Sequence, residues 1–319
     1  MTDTAILAED LRKTFGEVVA VDHISLAVPR GTVLGLLGVN GAGKTTMVRM
    51  LTTVLTPTSG RGTVNGFDVH EHPQAVRRSI GLAGQFAAVD ENLTGRENLM
   101  LVGRLNHLSK AAARTRADEL LAQFRLDDAG NRPARTYSGG MRRRLDLAAA
   151  LITHPPVLFL DEPTTGLDPA SRTDLWGVIE GLVSDGTTVL LTTQYLEEAD
   201  RLADNIIVID HGRVAAEGTP RQLKARLGDT VIEFEFSDAA TANSAAALFG
   251  TDTNAGTVVR VVMQHGPTTL RESLNRLESA GIVPHHVALR EPTLDDVFLT
   301  LTNSGIGADP HTDDKGASA

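Results

Sequence analysis

Residues 32 to 51 read TVLGLLGVNGAGKTTMVRML: an apolar, β-branched run, a glycine-rich turn, and a stretch with apolar residues at helical spacing. A strand, then Gly38-x-x-x-x-Gly43-Lys44-Thr45, then a helix is the phosphate-loop pattern in the context that it requires. Glycines at such a turn let successive backbone N–H groups point inward around phosphate oxygens, and the helix N-terminus adds positive potential. Lys44 is placed to reach β and γ phosphates and the Thr45 hydroxyl to hold Mg²⁺, with Asn40, Gly41, Ala42 and Thr46 completing the cradle. The feature demands an α/β fold, because a sheet strand must deliver the loop.

Hydrolysis needs carboxylates beside such a loop, and the segment PPVLFLDEPTTGLD (155–168) supplies them. An apolar strand carries Asp161 and Glu162 to its C-terminal end, the edge at which parallel sheets hold ligands. Asp161 suits a water or ligand of Mg²⁺, and Glu162 suits polarisation of an attacking water. Adjacent acids after a strand also serve as helix caps, so the assignment leans on the phosphate loop upstream.

From residue 5 to about 228, β-type runs alternate with helical segments and Gly-rich turns, which predicts an α/β domain with a largely parallel sheet. Its clearest strands are TVLGLLG (32–38), PVLFLD (156–161), TVLLTT (188–193) and NIIVID (205–210). Between about 88 and 153 the period turns helical through LTGRENLMLVGRLN, AAARTRADELLAQF and MRRRLDLAAALI, which predicts a helical insertion. HGRVAAEGTP reads as a tight hairpin, and RQLKARLG closes the domain. After Gly228 the strands TVIEFEF, TVVRVVM and VPHHVAL, separated by two helical patterns, predict a small α+β domain over 229–302. Residues 303–319 are polar and breaker-rich, as in a disordered tail.

Lys and Arg number 30 against 40 Asp and Glu, and a net charge of −10 argues against a general grip on nucleic acid. The absence of cysteine excludes disulfides, thiolate metal sites and thiol nucleophiles. No apolar run approaches the roughly 18 residues of a membrane span. The start MTDTAILAEDLRKTF lacks the basic-then-apolar order of a secretion signal. The ten histidines, including the pair His285-His286, show no helical metal-ligand spacing and read as ordinary packing or surface residues.

With these motifs in place the chain resembles the ATP-binding cassette (ABC) ATPase family over nearly all of residues 5 to 228. The diagnostic addition is Tyr137-Ser138-Gly139-Gly140-Met141, which is similar to that family's Leu-Ser-Gly-Gly-Gln signature. It precedes an Arg-rich, Ala-rich helix, so its hydroxyl and amides form a second helix-N-terminal anion site. The resemblance implies a P-loop core with an antiparallel β subdomain. It also implies that the signature of one copy faces the γ-phosphate bound by the other, so that two ATP molecules join two copies head to tail. Tyr137 and Met141 depart from the commonest pattern without removing a hydroxyl or glycine donor.

Other family positions carry over singly. Phe15, in RKTFGEVVAV, falls where the family stacks an aromatic on adenine, a contact of roughly 1–3 kcal/mol by analogy with base stacking; a strand-end core Phe is the competing reading. Gln85, in IGLAGQF, matches the glutamine that touches Mg²⁺ or the water and opens the loop FAAVDENLTGREN toward a transporter. Gly166-Leu167-Asp168 matches the loop that reaches the other copy's phosphate site. The run Arg142-Arg143-Arg144 reads as a solvated helix face rather than a nucleic-acid patch.

After TVLLTT most of the family has a histidine that bonds the γ-phosphate; here the position is Gln194. An amide offers a donor of similar reach but neither a positive charge nor proton exchange near neutral pH. Gln194 is therefore either a working sensor that positions Glu162 or the mark of a slow, degenerate site. Gln194 within TTQYLEEADRLAD, together with LREPTLDDVFLTLT, is similar to the ATP-binding subunits of daunorubicin-resistance-type exporters. That resemblance implies two copies beneath a separate membrane permease, peripheral on the cytoplasmic face. A soluble ABC-type ATPase or a nucleotide-binding regulator without a membrane partner is the alternative.

Overall fold

The computed structural model describes residues 3–84, 89–225, 230–251, 256–263, 266–290 and 293–295. The chain divides into two compact units, Met1–Pro220 and Arg221–Ala319. In chain order the first unit contains strands β1 (Thr4–Phe15), β2 (Val18–Pro29), β3 (Val33–Leu37), β4 (Ser59–Val64), β5 (Phe67–Asp68), β6 (Ile80–Ala83), β7 (Val157–Asp161), β8 (Thr188–Thr193), β9 (Asn205–Asp210) and β10 (Arg213–Gly218). Its helices are α1 (Lys44–Leu51), α2 (Pro73–Ser79), α3 (Gly95–Leu105), α4 (Lys110–Gln123), α5 (Gly139–Ala150), α6 (Pro169–Ser184) and α7 (Leu196–Leu202), and α8 (Pro220–Ala225) starts at the boundary.

Two sheets result. β2-β1-β4-β5 is antiparallel, and β10-β9-β3-β8-β7-β6 is parallel apart from its edge strand β10, which returns from β9 as a hairpin. β3, β7 and β8 are buried at every residue, as expected of parallel strands covered on both faces. β2 alternates buried and exposed positions, and its buried side joins the core formed by β1, β3 and α1.

Register explains why residues far apart in sequence meet. β3, β8, β7 and β6 are consecutive in the sheet, with Leu37 opposite Thr193, Asp161 opposite Thr192, and Ala83 opposite Leu160. The four strands therefore end together on one edge. The phosphate loop leaves the first, Gln194 follows the second, and Glu162 follows the third.

α3, α4 and α5 occupy the stretch expected to be helical, and each starts at a hydroxyl N-cap. Thr94 and Glu97 form a reciprocal capping box, while Ser109 and Ser138 accept from the N–H groups of Ala112 and Met141. Capping of this kind adds roughly 0.5–2 kcal/mol over alanine.

The second unit, described by itself, contains β11 (Val231–Glu235), α9 (Ala239–Phe249), β12 (Val258–Val262), α10 (Pro267–Ser279) and β13 (His286–Arg290). The antiparallel order is β12-β11-β13. Ile232, Phe234 and Phe236 pack on the alanines of α9 and on Leu277, with Phe234 and Phe249 stacked at 5.8 Å. The tail 303–319 lies outside the described residues.

Candidate functional site

The loop between β3 and α1 is pressed against its neighbours. A Cβ at Gly38 would stand 2.4 Å from the carbonyl oxygen of Ile209, and one at Gly43 would stand 2.5 Å from that of Ala20, where φ is also +111°. Both positions require glycine. The first backbone bond of the helix start runs from Met47 N to Gly43 O, so the N–H groups of Lys44, Thr45 and Thr46 have no intrahelical partner. These three residues line a cleft together with Ala20, Asn40, Gly41, Gly43 and Glu162. Ala42 is buried beneath it and accepts from Gly212 N.

Lys44 is only 4% exposed, and its Nζ donates to the carbonyls of Gly38 at 2.7 Å and Val39 at 3.1 Å. Glu162 Oε1 lies 3.6 Å away. Burial lowers the pKa of the ammonium, and the carboxylates of Glu162 and Asp161 oppose that pull. The result is a cation held inside the phosphate loop, where an anionic ligand would relieve its desolvation.

Thr192 ties the carboxylate turn to β8. Its hydroxyl donates to Asp161 Oδ1 at 2.6 Å, and Glu162 N reaches both the carbonyl and the hydroxyl of Thr192 at 3.1 Å. Thr45 Oγ1 donates to the same Asp161 oxygen at 3.2 Å. The Thr45 hydroxyl and Asp161 carboxylate are hard oxygen donors of the type that Mg²⁺ takes, so the residues present fit that ion. Glu162 itself has φ +51°, a left-handed conformation that turns the chain abruptly at the sheet edge.

The Ser138–Met141 segment does not line this cleft. Ser138 and Gly139 are exposed at the start of α5, and a Cβ at Gly139 would meet nothing within 4 Å. Gly140 is buried under Ser171, which Asp168 holds through bonds to its N–H at 3.0 Å and its hydroxyl at 2.7 Å. These bonds lower the Asp168 pKa. Asp168 and the signature therefore form one surface, separate from the phosphate cleft.

The remaining candidates take intermediate places. Gln194 is half-buried directly after β8. Phe15 is 48% exposed at the end of β1, opposite Val18, with Lys13 Nζ 5.3 Å from its ring. The core reading of Phe15 thus fails. Val18 is two residues along β2 from Ala20, which touches the phosphate loop. Gln85 lies outside the described residues, although β6 ends just before it.

Known proteins resemble this chain. The ABC transporter family pattern matches residues 21–165, and a pattern described as the C-terminal domain of DrrA1-3-like ATP-binding proteins matches 218–302. The daunorubicin resistance ATP-binding protein DrrA3 of Streptomyces coeruleorubidus is 54% identical over 95% of this chain and 97% of its own length. The chain belongs to the ABC transporter ATP-binding family. It is 48% identical to the daunorubicin/doxorubicin resistance ATP-binding protein DrrA of Streptomyces peucetius, over 93% of this chain and 92% of that one. It is 40% identical to a Nod factor export ATP-binding protein of Ralstonia nicotianae, over 94% of each chain. A dimeric ATP-binding cassette in a post-hydrolysis state with ADP and Pi superposes with a TM-score of 0.62 at 26% identity, covering 67% of this chain and 98% of that one. This is an ABC-type ATPase.

Within this ABC ATPase one sequence reading is corrected. Of the three consecutive arginines, Arg142 is half-exposed and pairs with Glu91, but Arg143 is only 8% exposed and Arg144 donates to the carbonyl of Phe124. The run is not a solvated face, because successive helix positions point about 100° apart and the middle one faces the carboxylate turn. Tyr137 has a packing explanation of its own. Its ring covers the Gly95 end of α3, and its hydroxyl donates to Ala129 O at 2.7 Å. Glu198 was also missed: fully buried on α7, it accepts from Trp176 Nε1 at 3.0 Å.

Proposed function

We propose that the chain powers efflux of hydrophobic drugs of the daunorubicin and doxorubicin kind, as two copies docked on a separate integral membrane permease at the cytoplasmic face. The observation that carries the pairing is the division of the site. Lys44 and Glu162 line one cleft, with Asp161 bonded to Thr45 beside it, while Ser138, Gly139 and Asp168 stand exposed elsewhere on the same unit. A head-to-tail pair brings the second copy's signature to the first copy's cleft. No helix among the described residues is long and apolar enough to cross a membrane, which agrees with a permease supplied by another chain.

In this reading the loop N–H groups and Lys44 hold the β and γ phosphates of ATP, and Phe15 stacks on the adenine. Thr45 and Asp161, with Gln85, would hold Mg²⁺, which when bound would supply positive charge beside the phosphates. Glu162 orients the attacking water and accepts its proton, and Gln194 donates its amide to the γ-phosphate. Met141 and Gly140 set the signature helix, and Ser138 and Gly139 close on the phosphate of the partner copy. Loss of the shared γ-phosphate releases the closed pair, and that difference in closure energy drives the permease.

The drug assignment follows the relatives of 48–54% identity, whose names specify daunorubicin or doxorubicin resistance. More distant relatives are named for a different export, so the cargo is set chiefly by the permease.

The test is a pull-down with Glu162→Gln in ATP and Mg²⁺ from detergent-solubilised membranes of the native host. A multi-span membrane protein recovered at one per two copies, whose co-expression with this chain lowers doxorubicin accumulation in cells, is expected. Recovery of soluble partners alone would overturn the exporter reading.

A further inference from the structure

Arg143 is placed where a charge is costly. A guanidinium has five N–H donors in a fixed planar fork, and burying it requires partners for all of them. Here all five are used. Nε donates to Pro163 O at 2.6 Å, Nη1 to Gly84 O and to Asp146 Oδ2 at 3.2 Å, and Nη2 to Asp161 O at 3.3 Å and Glu162 O at 3.2 Å. Three of these acceptors are the consecutive carbonyls of the turn that carries both carboxylates. A fourth, Gly84, ends the β6 side of the same sheet edge, immediately before Gln85. Asp146, one turn along α5 and also buried, supplies the balancing charge.

Three consecutive carbonyls converge on one group only if the chain turns sharply, and the left-handed φ of Glu162 makes that turn. Such a backbone costs roughly 1–2 kcal/mol for a residue with a Cβ. It persists where surrounding bonds over-determine it. Thr192 holds the turn from the β8 side and Arg143 from the α5 side. The Glu162 side chain has lighter support, a bond from Thr165 Oγ1 at 3.3 Å and the Lys44 ammonium. Its direction is therefore set mainly by its backbone.

We propose that Arg143 is a positioning residue for ATP hydrolysis: it fixes the Asp161–Pro163 turn, and through it the Glu162 carboxylate, to the helix that opens at Ser138. The signature helix and the carboxylate turn then move as one body, so closure of the second copy on Ser138 is felt at Glu162 without an intervening loop. The inference rests on the proposed role of Glu162.

Lysine has three donors and no planar fork, so Arg143→Lys keeps the charge opposite Asp146 while losing part of the clamp. The experiment measures kcat per nucleotide-binding site, the KM for ATP, the affinity for a fluorescent ATP analogue, and Tm. The variants are Arg143→Lys, Glu162→Gln, and Leu145→Ala, a cavity variant at a buried position of the same helix whose side chain has no donor for the turn carbonyls. Expected for Arg143→Lys is a kcat per site lower by roughly 10- to 100-fold, with KM and analogue affinity within about threefold. Leu145→Ala, with a comparable loss of Tm, keeps its kcat per site within about threefold. Equal losses of kcat per site in the two variants would reduce Arg143 to a structural role and overturn the inference, as would an unimpaired Arg143→Lys beside an inactive Glu162→Gln. Wild-type turnover in Glu162→Gln would remove the base reading first, and the inference with it.

Discussion

The phosphate cleft and the signature surface are both helix N-termini preceded by a polar turn, yet they are built in opposite ways. At the first, Gly43 is jammed against Ala20, Lys44 is desolvated inside its own loop, and two carboxylates arrive at the end of β7, on the far side of β8 from β3. At the second, Ser138 caps its helix in the open and Gly139 has empty space around it. One is a lined cleft within the chain; the other has donors but no opposing wall. In the proposed reading another molecule supplies the rest, and dimeric cassettes are among the solved structures that the chain resembles.

The largest effect should come from breaking each half separately and then mixing them. Lys44→Ala removes the cation from the cleft, and Gly139→Asp puts a negative charge at an exposed position where a side chain meets nothing in the monomer. Each is expected to lower turnover by about 100-fold or more, by removing or repelling a phosphate interaction in a water-poor site. Gly139→Asp should keep the wild-type Tm and bind ATP in the monomer. When the two are mixed, about a quarter of wild-type turnover should return, since half the pairs are mixed and each of those has one intact composite site. Failure of the mixture to recover would sink the trans arrangement.

A smaller effect tests how far turnover depends on the half-buried Gln194. Gln194 follows β8, whose Thr192 grips both Asp161 and Glu162. A hydrogen bond to a charged group contributes roughly 1.5–3 kcal/mol, so Gln194→Ala should lower turnover by about 10- to 100-fold with little change in ATP affinity. Unchanged turnover would leave the degenerate reading. Gln194→His should retain activity and introduce a new titration near neutral pH in the kcat profile.

The same contrast explains what could be read from the sequence. The cleft was legible because its pieces are local patterns: strand, glycine turn, helix, and acids at a strand end. The parallel sheet followed from runs such as TVLLTT, whose uniform burial leaves no alternation to confuse. The antiparallel sheet came through family resemblance alone, since the pairing of β1 with β2 is interrupted by several register shifts that blur a period of two. Arg143 was misread because a run of three arginines looks solvated when only charge is counted. Its burial depends on which face of α5 meets the Asp161 turn, a tertiary fact. Thr192 was hidden for a related reason: nothing in TVLLTT marks which threonine faces the carboxylates.

The smallest predicted effect compares one acid from each region by its response to pH. Glu198, fully buried on α7, has its pKa raised by burial, partly opposed by the Thr193 hydroxyl, the Trp176 hydrogen bond and the Thr164 hydroxyl. A carboxyl with a raised folded pKa contributes stability that is fully present below the unfolded value of 4.5 and lost as pH rises through the folded pKa. Glu198→Gln escapes that loss, so its Tm should gain on the wild type as pH is raised from 4.5 to 7.5, each kcal/mol appearing as roughly 2–4 °C. Trp176 is the sole tryptophan and bonds Glu198 directly, so its fluorescence should change as Glu198 ionises in the wild type and not in the variant. Asp168, exposed at the signature surface, has a lowered pKa from the Ser171 bonds, and its contribution is present above 3.8 and lost as pH falls through the folded value. Asp168→Asn keeps an N-cap, so its Tm should trail the wild type slightly at pH 7.5 and draw level under acid. The two differences change with pH in opposite directions because one acid was taken out of water and the other was left in it. A Glu198→Gln gap that does not change with pH would place that carboxyl in a solvated site and break the contrast at its buried end.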